Sequence, residues 1–491
     1  MLKKLLAQIA AALMVLLSFS CKSKNISEHL SSIPMENREI PFTYDAQKFQ
    51  NKNELSFTEM MEDLDSYIYL LESSYAGYDD ALWLGMDVFE IKNQIQTKYS
   101  GIEKIQIEDF FQTLYDSFSP YIHDCHANLA YNGNYKTFIE RYEIFFTDVY
   151  VQKKDSSYYT IPCEQNIIPV GVRFDDDKSY LFYYPSKGEN VYRVGCIKAD
   201  NEETISIKFG NQKYEIPVHN TKCIEEPNLY FVKNTDKSAY IKYNRCTFDN
   251  DTELNFQKAF SNSAKDYKNK EFLIIDLRGN YGGDNTYCSK FLIQLYNKNL
   301  NLKDFPNEEI REIYSYANIK AFRHFLYAWT DVNNPEVKKM LKEMKVYEEI
   351  IEKDSKKITK IKDGQKSNFD NPKFKGKIIF ITDKNVASAG EDFILHSDII
   401  FGNTNQIIQI GQNTSGALLY GNICDYYLPD SGLKCRLSIT DFSSTAKESK
   451  RSHGEGYGLY PDYWSTNEDL NDTIFMVTKD KQMYEILKEI L

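Results

Sequence analysis

The chain has 491 residues, 42% apolar and 26% charged, a balance that predicts several folded domains and excludes a largely disordered protein. Its formal net charge is −12, and no long basic run follows the first few residues. Nucleic acid is excluded as a partner, because phosphate binding needs clustered Lys and Arg.

Residues 1–20 read as a secretory signal peptide. Lys3 and Lys4 form a basic start, and Leu5 to Leu17 is apolar apart from Gln8, a run too short to span a bilayer comfortably. Ser18-Phe19-Ser20 then precedes Cys21, as in bacterial lipoprotein signals, although Ser18 stands where Leu is usual and Leu17 sits one place earlier. Lipidation of Cys21 is expected. Acyl chains would then hold an exported protein on a membrane, facing the periplasm or the cell surface, without a spanning helix. Residues 21–55 are polar and read as a flexible tether.

Residues 56–135 are expected to form a helical domain. Met60, Leu64, Tyr67, Leu70 and Leu71 recur at helical spacing, as do Phe110, Phe111, Leu114 and Phe118, and Pro120 marks an end. Residues 136–235 form a small β-rich module of short apolar-aromatic runs, with a hairpin expected around Gly210-Asn211. From residue 236 to 491 strands and helices alternate, which predicts an α/β domain. Phe272–Leu277 and Lys377–Thr382 read as buried strands, Lys290–Asn297 and Ser388–Ile400 as helices, and residues 300–370 as a charged helical insertion. The fold class is therefore α+β or α/β, in several domains. Cys424 and Cys435 flank an expected hairpin and are the best disulfide pair on offer. No CxxC spacing supports a zinc knuckle.

Two loops follow the two buried strands, at the strand ends where α/β sheets place ligand chemistry. In Asp276-Leu277-Arg278-Gly279-Asn280-Tyr281-Gly282-Gly283, the glycine N–H groups can face an oxyanion, or the loop is simply a tight turn. In Asn385-Val386-Ala387-Ser388-Ala389-Gly390-Glu391, Ser388 opens a helix, as a nucleophile in a field favouring negative charge or as an ordinary N-cap. Each loop alone favours the structural reading.

Together and in this order, the two loops resemble the C-terminal (tail-specific) processing peptidases, a family of serine peptidases. The resemblance covers residues 238–465 and a short segment near residue 125. It implies a ClpP/crotonase-like α/β peptidase domain, with Ser388 as nucleophile and Gly282, Gly283 and the Ala389 N–H as the oxyanion hole. In most bacterial members a lysine follows a GxxTxGK-type strand. Here Ala417 occupies that place, and no lysine lies between Lys384 and Lys434. A second branch, similar to the tricorn core peptidase, draws a histidine from a D-x-H segment and a carboxylate from a late E-x-x-G-x-x-P-D-like segment. Asp124-Cys125-His126 and Glu455-Gly456-Tyr457-Gly458-Leu459-Tyr460-Pro461-Asp462 match in kind and order. The resemblance thus implies His126 as general base and Glu455 as its orienting carboxylate. Cys125 stands where that branch has a relaying hydroxyl, a weaker hydrogen-bonding group.

Other readings stay open. His123 and His126, three apart, could share a helix face, but companion metal ligands are lacking. His453, two residues before Glu455, is an alternative base. The resemblance also places a C-terminus-binding PDZ domain where the β-rich module lies. Val170-Gly171-Val172 is only a thin echo of its carboxylate loop, so the module is at most a degenerate PDZ. No cofactor or metal is implied. The expected partner is a peptide or unfolded protein substrate. A peptide-binding lipoprotein that keeps the fold without turnover is the second function class, and a hydrolase of small esters is a third.

Overall fold

The computed structural model describes residues 29–31, 52–163, 167–199, 203–221, 230–248, 250–296, 310–329, 335–354, 357–362, 372–401 and 405–491. The expected signal peptide, Cys21 and nearly all of the tether lie outside them. No helix among the described residues is long and apolar enough to cross a membrane. The chain divides into two compact units, each built from three separate stretches: Met1–Glu140, Pro306–Ser367 and Ala417–Glu448 in the first, Arg141–Phe305, Asn368–Gly416 and Ser449–Leu491 in the second.

The first unit opens with helix Phe57–Ser74, started by a capping box in which Ser56 and Glu59 satisfy each other's backbone N–H groups. Helices Val88–Tyr99 and Ile107–Phe118 follow. Their apolar faces bury Met60, Leu64, Tyr67, Phe110, Phe111 and Leu114 in one core with Tyr426, Cys435 and Leu437. Each such large side chain contributes about 1.5–3 kcal/mol on burial. Tyr426 and Leu437 belong to the antiparallel strands Tyr420–Tyr427 and Lys434–Asp441. Buried Asp63 fastens the first helix to the turn between those strands by accepting the N–H groups of Asp430 and Ser431, both at 2.8 Å. The strands belong to a seven-stranded sheet that also takes in Asn128–Tyr131 and Ile310–Tyr314.

The expected Cys424–Cys435 disulfide is absent. Cys424 lies opposite Leu437 and Cys435 opposite Tyr426, so the two are not cross-strand neighbours, and both are free and buried. The helix face that His123 and His126 could have shared is also absent. The helix ends at Phe118, just before Pro120, and both histidines sit in the loop beyond, with His123 exposed.

Among the described residues, the second unit holds one five-stranded and one six-stranded sheet and a two-stranded ribbon. The smaller is antiparallel and centres on Glu143–Lys154 and Val191–Lys198, with a separate ribbon, Thr204–Phe209 and Gln212–Pro217, turning at Gly210 as expected. The larger orders Tyr230–Asn234, Ser238–Tyr243, Phe272–Asp276, Lys377–Thr382, Ile407–Gly411 and Tyr463–Trp464, parallel after the first pair. Phe260, Phe291 and Phe393, from helices Asp251–Ser263, Thr286–Tyr296 and Ala389–Phe401, pack ring against ring. Ile274, Ile379 and Ile410 of the sheet form another core with Leu470, Ile474, Met483 and Leu487 from the C-terminal helices. Buried on both faces, the central strands read as unbroken apolar runs.

Candidate active site

The two chemistry-bearing loops leave adjacent parallel strands, Phe272–Asp276 and Lys377–Thr382, on the same side of the larger sheet. Asp276 ends the first. Its fully buried carboxylate accepts from Arg278 Nη2 at 2.7 Å, Tyr240 Oη at 2.8 Å and Lys242 Nζ at 3.3 Å. Burial alone would raise its pKa, but Arg278 and Lys242 hold it well below the usual carboxylate range. This cluster fixes the root of the glycine loop. The two loops are then stitched together: Gly279 N–H donates to Asp383 Oδ1 at 3.2 Å, and Ala387 N–H donates to the Asn280 carbonyl at 2.9 Å.

Ser388 stands immediately before helix Ala389–Phe401 with φ of +50°, in the left-handed region that a serine rarely occupies. An N-cap serine would accept a helix N–H through Oγ. Here the N–H groups of Glu391 and Asp392 go to the Ser388 carbonyl, at 2.7 and 2.9 Å, and Oγ makes no hydrogen bond among the described residues. The hydroxyl of half-buried Ser388 is therefore not spent on capping.

Gly282 makes the closest approach to the serine. A Cβ built on it would lie 2.6 Å from the Ala387 carbonyl oxygen, 2.9 Å from Ser388 Cβ and 3.0 Å from Ala389 N, and its φ is +87°. Only glycine fits. Its own N–H is occupied, donating to Asn280 Oδ1 at 3.0 Å, so Gly282 faces the serine as bare backbone and not as a donor. The N–H groups of Gly283 and Ala389 have no hydrogen-bond partner among the described residues. They are the amides left for an oxyanion, and Ala389 N–H is also at a helix start, where negative charge is favoured.

Glu391, fully buried, ties the serine to the next strand end. Oε2 accepts the Ser388 N–H at 2.9 Å, and Oε1 accepts the Thr414 hydroxyl and the Gly416 N–H, the latter at 2.8 Å. Gly416 in turn accepts the Gly456 N–H at 2.9 Å, and a Cβ on Gly416 would lie only 2.5 Å from Gly456 N. The loop carrying buried Glu455 is thus joined to the Ser388 turn through Gly456, Gly416 and Glu391. Tyr142 and Tyr457 stack at 3.9 Å and brace that loop.

Glu391, Asn280 and Thr414 were not singled out from the sequence. Ser388-Ala389-Gly390-Glu391 does carry the S-x-x-E spacing of a capping box, which would have flagged Glu391. The roles of Asn280 and Thr414 have no local signature.

Lysines near the serine loop are engaged elsewhere. Lys384 pairs with Glu143, and Lys242 is part of the Asp276 cluster. Among histidines of this unit, His453 stacks on Tyr460 with centroids 3.5 Å apart, its pKa lowered by burial, and His396 is buried within the serine helix. His126 belongs to the first unit. There Asp124, fully buried, accepts the His126 N–H at 2.8 Å and the Ala127 N–H at 3.2 Å, and lies 3.9 Å from His126 Nδ1. Burial pushes the Asp124 carboxyl up. Cys125 beside it is buried.

Residues 237–464 match the family described as Peptidase family S41. Among solved structures, the chain is similar to mature CPAF (14% identity, TM-score 0.43, covering 88% of this chain and 97% of that one). It is also similar to the photosystem II D1 C-terminal processing protease (10% identity, TM-score 0.35, covering 83% and 93%). A third similar structure is the tricorn protease (15% identity, TM-score 0.35, covering 88% and 37%). No curated protein sequence matches the chain.

Proposed function

We propose, from the premise that residues 237–464 are a serine-peptidase segment of family S41, that the protein hydrolyses peptide bonds with Ser388 as its nucleophile. One observation carries the reading: a serine in a left-handed turn, whose hydroxyl, like the nearby Gly283 and Ala389 N–H groups, makes no hydrogen bond among the described residues.

Serine needs a base near neutral pH. His126 is proposed for that role, with Glu455 orienting its ring. His126 takes the Oγ proton as Oγ adds to the scissile carbonyl. The negative oxygen is received by the N–H groups of Gly283 and Ala389, while Gly282 supplies the close backbone wall. His126 then gives its proton to the leaving amine, and the acyl-enzyme is hydrolysed by the same steps in reverse order with water as nucleophile. Loss of one oxyanion donor in such a site costs about 10²–10³ in kcat.

A fluorophosphonate probe tests the reading. Wild type should be labelled at Ser388, Ser388→Ala should not be labelled, and His126→Ala should label at least about a thousandfold more slowly. Absence of labelling in the wild type across pH 6 to 9 would favour a binding protein without turnover. Comparing peptide with small-ester substrates separates a peptidase from an esterase.

Export and lipid anchoring at Cys21 belong to the same proposal. The Cys21→Ala protein should leave the membrane fraction, and an N-terminal peptide carrying no acyl chains in wild type would refute the anchor. The β-rich module is proposed to hold extended substrate, as a degenerate PDZ would. Its deletion should raise KM for protein substrates more than for short peptides.

A further inference from the structure

We infer that Cys246 and Cys288 form a disulfide behind the glycine loop, and that its formation slows the chemistry at Ser388. The second half of this inference rests on the serine-peptidase reading.

The two sulfurs are 3.8 Å apart, from residues 42 positions apart in the chain, and both thiols are buried. No other side chain separates them. Cys246 is also built into the loop that backs the serine. Its carbonyl accepts the Asp284 N–H at 3.0 Å, and its Sγ receives Asn280 Nδ2 at 3.4 Å. Gly283 presses on it so closely that a Cβ there would lie 2.9 Å from the Cys246 carbonyl carbon and oxygen. Cys288 lies in helix Thr286–Tyr296, where its Sγ also meets Tyr243 Oη at 3.9 Å.

A disulfide needs sulfurs about 2.05 Å apart. Closing the gap moves one or both sulfurs, and a shift of Cys246 Sγ disturbs its 3.4 Å contact with Asn280 Nδ2. Asn280 is the residue whose Oδ1 holds the Gly282 N–H and whose carbonyl holds Ala387. The movement therefore reaches both walls of the serine site. Displacements of about 1 Å near reacting groups can cost 10²-fold in rate.

The oxidant is an external disulfide, small or protein-borne. One cysteine thiolate attacks it, forming a mixed disulfide and releasing one thiolate. The second cysteine thiolate attacks the mixed disulfide at the protein sulfur, forming the Cys246–Cys288 bond and releasing the other thiolate. Two electrons pass to the external disulfide, and the two protons lost by the cysteines end on the released thiols. Burial pushes the Cys288 thiol well up, so exchange is slow in the closed fold and quickest while the chain folds.

The test refolds the full chain from denaturant in oxidised or reduced glutathione and reads intact mass, a peptide map and the fluorophosphonate labelling rate. The expected result is a species 2 Da lighter than the dithiol form, a 246–288 cross-linked peptide, and labelling slowed at least about tenfold. Cys288→Ser should label at the reduced wild-type rate in both buffers. Two alkylatable thiols at positions 246 and 288 after oxidative refolding would overturn the disulfide. A cross-linked protein that labels as fast as the reduced one would overturn its effect on the serine. A cross-link with no labelling in any redox state would support the disulfide and count against the serine reading alone.

Discussion

The backbone N–H of Ser388 donates to Oε2 of Glu391, three residues further on, at 2.9 Å, while the other oxygen of the same carboxylate holds Thr414 and Gly416. One buried side chain thus sets the position of Ser388 relative to the neighbouring strand end. Glu391→Gln replaces one acceptor oxygen by an NH₂ that faces another donor. The expected outcome is a folded protein whose probe labelling at Ser388 falls about 10–10²-fold, as a small misplacement of a reacting group does. Circular dichroism alongside labelling kinetics checks it.

Gly282→Ala places a methyl 2.6 Å from the Ala387 oxygen and 2.9 Å from Ser388 Cβ, at a φ of +87°. The two loops must part to admit it. Labelling should fall by about 10²-fold or more, and the unfolding midpoint should drop by the equivalent of about 1–3 kcal/mol. Steady-state labelling rates and urea titration read the two effects separately.

Asp276→Asn removes the negative charge from the cluster formed with Arg278 and Lys242, both buried. Breaking a buried ion pair from one side costs about 3–5 kcal/mol, because the remaining cations stay in the interior. Because its folded pKa is depressed, Asp276 stabilises the fold above the usual carboxylate range, and that contribution fades as pH falls below it. The Asn variant should show a reduced urea midpoint at pH 7 and a smaller difference from wild type in strong acid.

Asp63 and Asp284 act in the opposite sense. Burial raises each from 3.8 to about 6. The folded chain then holds protons that the unfolded chain has lost, so these groups favour the fold below about pH 4, and the benefit disappears as pH rises through 6. The upper figure is about 3 kcal/mol for each group, at 1.36 kcal/mol per pKa unit. Asp284→Asn keeps an acceptor for the Thr286 N–H, which Asp284 Oδ1 now receives at 2.7 Å. It should flatten the fall in thermal midpoint between pH 4 and 6 without loss of folding. A slope equal to that of wild type would contradict the assignment.

Lys384 is the lysine nearest in sequence to Ser388, yet its ammonium is paired with Glu143. Lys384→Met should leave the labelling rate within about twofold of wild type, against the losses of 10²-fold or more typical of a general base. Measurement from pH 6 to 9 suffices.

Much of the framework around the candidate site was legible because its signals are local. Phe272–Asp276 and Lys377–Thr382 appear in the sequence as continuous apolar runs bounded by Asp and Lys, and the helix after Ser388 begins one residue later than expected. Glycines at 282 and 283 marked a backbone held close to something. What stayed hidden depends on groups far apart in the chain. That Asn280 takes up the Gly282 N–H, while those of Gly283 and Ala389 have no partner among the described residues, follows from side-chain packing that no spacing encodes. The link from Glu391 through Gly416 to Gly456 crosses three segments and likewise has no period or motif. The Cys424–Cys435 expectation failed because strand register, not sequence proximity, decides which residues face each other.

Each compact unit draws on three stretches of chain, the first ending at Glu448 and the second at Leu491. A chain emerging end-first therefore leaves each unit unfinished until its third stretch has appeared. The strand Tyr463–Trp464 completes the edge of the sheet that carries the serine, and the C-terminal helices cover that sheet's apolar core. The surroundings of the hydroxyl at position 388 thus set only once these distant stretches of chain have docked on the sheet.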